Sequence, residues 1–184
     1  MDAFEEMGLE RDLRVSEGVL RERFDRESAE RHPDGGGTRE GFARLRESYG
    51  VLRSPARRLR HWLELGGEET PRVGMVPENL MVFFGEIGVL LQRVEALRRK
   101  KSEARSTLVK SMVERESMEL AEGLEVMRRR VAERCEVLEG CFGDFQERSV
   151  EGVAEEAMTV AASLAFLEKW EAQLREAWVG LAMG

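Results

Sequence analysis

Leu164, Leu167, Trp170, Leu174, Trp178 and Leu181 recur at spacings of three and four residues. Only an α-helix returns such positions to one face, because each residue advances about 100° around the helix axis. Two earlier segments repeat the pattern. Over residues 77–100 the stripe is Leu80, Phe83, Ile87, Leu91 and Val94. Over residues 102–138 it is Leu108, Met112, Leu120, Leu124, Met127, Val131 and Leu138. The third segment starts after Ser149 and runs to about Leu181. With short joints, three such stripes predict an antiparallel three-helix bundle. Four prolines, one tyrosine and a chain rich in Glu, Arg, Leu and Ala suit helices and not sheets. The expected fold class is all-α, with apolar residues at 42% supplying a core.

The N-terminal third is also helical but more finely divided. Residues 2–9 read as a brief helix or turn. Ser16 is placed to cap a helix over residues 17–31, with a thin apolar stripe of Leu20, Phe24 and, in part, Ala29. Pro33 ends it, and Gly35, Gly36 and Gly37 follow as a flexible loop. Thr38 caps the next helix, through about Leu52, whose face is Phe42, Leu45, Tyr49 and Leu52. Ser54-Pro55 breaks that helix and opens another over residues 56–65, with Leu59, Trp62 and Leu63 on one side. Gly66-Gly67 begins the clearest linker. The expected division is 1–65 as one helical domain, 66–76 as linker and 77–184 as the bundle.

Charge and special residues narrow the function. A net charge of −7 argues against general nucleic-acid binding, which needs a basic surface. Residues 1–64 are nearly neutral, with 13 basic and 14 acidic residues, against 16 and 22 in the remainder. Cys135 and Cys141 read as small buried apolar residues, not a disulfide framework. Only His32 and His61 could act as imidazole ligands, so no metal or cofactor is assigned. The N-terminus is acidic and lacks the apolar core of a signal peptide, and no apolar run approaches a membrane span. These features point to a soluble, cytoplasmic protein without a membrane partner. Nothing resembles a nucleophile–base pair, a phosphate-cradling loop or a carboxylate dyad, so an enzyme is not expected.

His32-Pro33-Asp34 lies between two helices of the N-terminal part. Its plain structural reading is a helix C-terminus with a histidine near the negative dipole end, followed by a turn. Its surroundings add more. An amphipathic helix precedes it, glycines follow it, and the next helix ends Ser48-Tyr49-Gly50-Val51-Leu52-Arg53-Ser54-Pro55-Ala56-Arg57. That run resembles the "AYxVLxxPxxR" ending of the third J-domain helix, and residues 1–64 resemble a J-domain. The resemblance implies docking on a DnaK/HscA-class chaperone ATPase. Asp34 would offer a carboxylate to a chaperone arginine, Pro33 would stiffen the loop, and His32 would hydrogen-bond or pack there. Arg23, Arg26 and Arg31, on the helix before the motif, would join this contact. Such a protein acts by binding one conformation of its partner better than another. Two departures weaken electrostatic steering. The lysine usual after the motif is Gly35, and residues 16–31 hold four arginines against five acids.

A J-domain followed by a three-helix bundle resembles the HscB-type co-chaperones of iron–sulfur cluster assembly. The opening MDAFEEMGL, the run from Pro55 to Gly67, Asn79-Leu80-Met81 and Ala165-Phe166-Leu167-Glu168-Lys169 are each similar to that family. The resemblance implies an iron–sulfur scaffold protein as client, held by Leu80, Met81, Phe84 and Phe166. Periodicity bears on this separately. Met81 points roughly 130° from the centre of its helix stripe and Phe166 roughly 90° from its own, while Phe84 lies at an edge. An exposed apolar cluster marks a binding surface, yet a wide stripe or the N-terminal domain could equally cover it. Two other functions stay open: an adaptor for a different client, and a structural helical protein whose J-domain has degenerated.

Overall fold

The computed structural model describes residues 1–31, 37–70 and 74–182. In the N-terminal part each helix starts at a side-chain oxygen. Ahead of α1 (Ala3–Glu6), the Asp2 carboxylate accepts from the amides of Phe4 and Glu5 at 2.9 and 3.3 Å. The Ser16 hydroxyl does the same for α2 (Glu17–Arg31), accepting from the Val19 amide at 3.3 Å. Thr38 caps α3 (Arg39–Arg53) through the Gly41 amide at 3.0 Å. Ser54 caps α4 (Pro55–Leu65) through the Arg57 amide at 3.1 Å. Pro55 takes the first position of α4, where the donor it lacks has no intrahelical acceptor. A cap of this kind contributes about 1 kcal/mol.

Helices α2 and α3 close on one apolar cluster that joins Leu20, Leu45 and Leu52 to Ala3, Phe4 and Met7 of the first helix and its end. Phe24 stacks on Tyr49 with ring centroids 4.3 Å apart. Ala29, expected in part on this face, is instead exposed. The series i, i+4, i+7, i+8, i+11 from Leu20 runs through Phe24, Glu27, Ser28 and Arg31, and those half-buried residues take the inner positions. His61 of α4 fastens the N-terminus. Its Nε2 accepts from the Ala3 amide at 2.9 Å, and its ring stacks on Phe4 at 6.0 Å. Burial lowers the His61 pKa and outweighs the upward pull of Asp2. For Asp2, burial disfavours the charge, but hydrogen bonds from Arg11, Glu5 and Phe4 bring its pKa below the ordinary value.

A 3₁₀ turn (Glu78–Leu80) leads into α5 (Met81–Glu103), followed by α6 (Thr107–Glu139), α7 (Phe142–Glu147) and α8 (Val150–Ala182). The described residues form helices and turns only, so the fold is all-α. Packing gathers the chain into two compact units, Met1–Val73 with Val137–Ala165, and Gly74–Glu136 with Phe166–Gly184.

In the first unit, α7 lies against the segment before α2. Gln146 accepts from the Leu13 amide at 3.2 Å and donates to the Arg11 carbonyl at 3.0 Å. Phe142 and Phe145 of α7 are buried. This helix had no counterpart in the sequence reading, because six residues are too few to show a period. Arg58 is the buried cation of the unit, 4% exposed. It donates to the carbonyls of Leu52 at 2.9 Å and Val15 at 3.3 Å, reaches Glu139 at 3.5 Å and lies 5.6 Å from the centroid of the Phe142 ring. Counted position by position, the closing arginine of the "AYxVLxxPxxR" pattern falls on Arg58 and not on Arg57, which is exposed.

In the second unit, ion pairs set the helix directions. Arg130, late in α6, pairs with Glu86, early in α5, at 2.6 Å. Lys100, late in α5, pairs with Glu116, early in α6, at 2.9 Å. Helices α5 and α6 are therefore antiparallel. Arg128 of α6 binds Glu171 of α8 at 2.8 Å, so Arg128 and Arg130 fasten helices together, and only Arg129 of that run is exposed. Leu80, Ile87, Val94 and Leu97 pack inward with Leu120, Leu124, Met127 and Val131 of α6 and Leu167, Trp170 and Leu174 of α8.

Three expected inner residues of the bundle face out. Leu108 and Met112 are 72% and 65% exposed, and Val113 is buried in their place. Counted back from Leu124, Val113 lies about 20° off the inner direction, Met112 about 120° and Leu108 about 160°. Trp178 is likewise turned outward, with Ala177 at the buried position. Among the described residues no helix is long and apolar enough to cross a membrane.

Candidate functional site

Two places carry the candidate residues, one in each unit. In the first unit, His32, Pro33 and Asp34 lie outside the described residues. Gly37 sits so close to the backbone of Arg31 that a Cβ at position 37 would collide with the Arg31 carbonyl, so glycine is required there. Arg31, the last residue of α2, is held by Glu6 and, at 3.0 Å, by Glu27. Arg23 is half-buried. Arg26 is exposed and lies 3.6 Å from Glu27. Of the three arginines, then, Arg26 presents its side chain most openly, and Arg31 is committed to neighbouring carboxylates.

In the second unit the start of α5 turns an apolar face outward. Leu80 is fully buried, because it ends the 3₁₀ turn on the inner side. Met81 and Phe84 are 50% and 51% exposed. Phe166 of α8 is half-buried. The rings of Phe84 and Phe166 lie 6.4 and 5.7 Å from that of Trp170, so both rest against one buried indole. The structure thus brings Met81, Phe84 and Phe166 to one surface and places Leu80 beneath it. This surface continues along α5. Val82 and Val89 are also exposed, and nothing lies within 4 Å of where side chains at Gly85 and Gly88 would begin. The signal was present as an uncharged run from Leu80 to Gly85 on a helix whose inner stripe needs only every third or fourth residue. Glu86 is occupied by Arg130. The arrangement can bury apolar groups of a partner and offers no chemistry for bond making. Among the described residues no group of three His, Cys, Asp or Glu side chains is placed to hold a metal ion.

No protein-family model matches the sequence, and no curated protein matches it. Solved structures do. The chaperone HscB from Vibrio cholerae is 18% identical, with a TM-score of 0.56, over 98% of this chain and 99% of that one. The human co-chaperone protein HscB is 17% identical, with a TM-score of 0.52, over 95% of this chain and 81% of that one. Over nearly its whole length, this chain has an HscB-type fold.

Proposed function

We propose that this chain is a J-domain co-chaperone that stimulates a DnaK/HscA-class chaperone ATPase and delivers an iron–sulfur scaffold protein to it. The observation that carries the proposal is the position of His32-Pro33-Asp34, between the two helices of a hairpin in a chain of HscB-type fold. In this account Asp34 supplies a carboxylate to a cation of the chaperone, with Arg26 as the most available neighbouring cation. The chaperone holds the ATPase residues, and this chain acts by preferring one of its conformations. Met81, Phe84 and Phe166 receive the scaffold, as an apolar surface suits a protein partner. Leu80 supports them from below. Acids outnumber arginines along α2, which favours a chaperone whose own surface matches that mixed charge.

The test is an ATPase assay of the cognate chaperone with and without a cluster scaffold. Asp34→Ala is expected to abolish stimulation while scaffold binding survives. Met81→Ala combined with Phe84→Ala is expected to weaken scaffold binding at least tenfold and leave stimulation in its absence unchanged. Both side chains are half-exposed, so the fold should tolerate the change. Wild-type protein that stimulates no chaperone of this class, or variants that lose both activities together, would remove the proposal.

A further inference from the structure

The chain is acidic, yet its cations are not evenly spread. Residues 98–115, the end of α5 and the beginning of α6, hold seven basic residues against Glu103 and Glu114. Part of that charge is used locally, by Arg98 with Glu95, Lys100 with Glu116 and Arg115 with Glu119. Arg99, Lys101, Arg105 and Lys110 have no ion-pair partner among the described residues. A local excess of unpaired cations on a chain of net charge −7 creates a field that attracts anionic groups to this end of the second unit.

The same end has a concavity of about 560 Å³. Val113, Ser117, Met118 and Ala121 of α6 line it with Leu181 of α8, and its charged lining is Lys101 and Lys110 against Glu114, a net positive charge. Met118 is 65% exposed, and an exposed methionine is an adaptable apolar contact. The volume falls in the range of ligand-binding pockets. Met81 and Phe84 lie at the opposite, N-terminal end of α5, so this is a second surface.

We propose that this concavity docks an acidic amphipathic peptide segment of a partner protein, which inserts an apolar side chain between flanking carboxylates that meet Lys101 and Lys110. Charge complementarity fixes the sign of the partner. The apolar part of the lining fixes its form, since a side chain presented by a helix enters such a pocket. A flat bilayer surface would leave the concavity empty, and the absence of an aromatic ring among the lining residues gives nucleic-acid bases nothing to stack on.

The full chain would be titrated, by fluorescence anisotropy, into a fluorescein-labelled helical peptide with leucines at spacings of three and four and glutamates elsewhere. Saturable binding is expected. It should weaken at least tenfold in the Lys101→Glu, Lys110→Glu double variant, as salt-sensitive pairing requires. Ser117→Phe, which fills the concavity, should weaken it comparably, with circular dichroism confirming the fold of each variant. A control peptide with alanine in place of leucine should bind at least tenfold more weakly. Equal binding of the two peptides would reduce the surface to a charge effect and overturn the proposal. Binding to phosphatidylserine-containing vesicles without binding to the peptide would overturn it in favour of a membrane, and absence of both would overturn it outright.

Discussion

Removal of the Arg58 guanidinium is expected to destabilise the first unit by about 3–5 kcal/mol, the usual effect of deleting one partner of a buried charged network. The contacts give the same scale. Hydrogen bonds to the carbonyls of Leu52 at 2.9 Å and Val15 at 3.3 Å contribute about 1.5–3 kcal/mol each when the donor is charged. The face of Phe142 at 5.6 Å adds about 0.5–2 kcal/mol. Glu139, at 3.5 Å and 35% exposed, adds less than about 1 kcal/mol because water screens it. Desolvation of the cation takes back several kcal/mol. Arg58→Ala should therefore lower the guanidinium chloride midpoint by about 1 M, for a slope of roughly 4 kcal/mol per molar.

To read the first unit by itself, the measurement belongs in a Trp170→Phe, Trp178→Phe background, where Trp62 alone is the tryptophan reporter. Arg58→Met keeps the apolar stem and removes the donors. It should lose at least about 2 kcal/mol, as two charge-assisted hydrogen bonds are then gone. An Arg58→Met protein within about 0.5 kcal/mol of the parent would refute the reasoning, because the hydrogen bonds would then do no more than offset the desolvation of the charge.

Ser48 is fully buried and its hydroxyl has no partner among the described residues, so Ser48→Ala should stabilise by about 1 kcal/mol, read as a higher denaturation midpoint. Val113→Ala should cost about 2 kcal/mol as a core truncation, whereas Leu108→Ala should stay within about 0.5 kcal/mol; the reverse order in chemical denaturation would contradict the observed face of α6. His61 is lowered in the folded state, so the unfolded chain binds its proton first as pH falls. Its contribution is complete above a pH of about 6.5 and declines below it, and His61→Gln should flatten that part of the stability–pH curve.

What was legible in the sequence follows how far each signal repeats. Two caps were readable one by one, because Ser16 and Thr38 are short side chains directly ahead of helical runs, and each accepts an amide as expected, whereas Ser54 was read only as part of a break and proves to be a cap as well. The inner face of α6 was readable from Leu120 to Val131, where large aliphatic residues recur without competitors. It failed at Leu108 and Met112, because an apolar residue at a helix end satisfies a loose spacing rule as well as the true inner Val113 does. Size misled in the same way at Trp178, where the small Ala177 takes the buried position. Arg58 escaped notice because a charged residue inside a helical core leaves no trace in hydropathy. Only the carbonyls that converge on it, from Val15 and Leu52, reveal its role, and those are brought together by the fold.

The start of α5 shows why the candidate surface was partly readable all the same. A helix that buries Leu80, Ile87 and Val94 needs polar residues elsewhere on its circumference to stay solvated. Met81, Val82, Phe84 and Val89 break that rule at positions the bundle does not cover. Neither core packing nor helix propensity requires them, and Gly85 and Gly88 even weaken the helix by roughly 1 kcal/mol each relative to alanine. Exposed large apolar side chains beside bare backbone let another chain approach α5 closely. A partner that exploits this should lose affinity when Gly85→Gln sets a bulky side chain on the open face, while the unliganded protein keeps its stability, since nothing within 4 Å opposes the new Cβ.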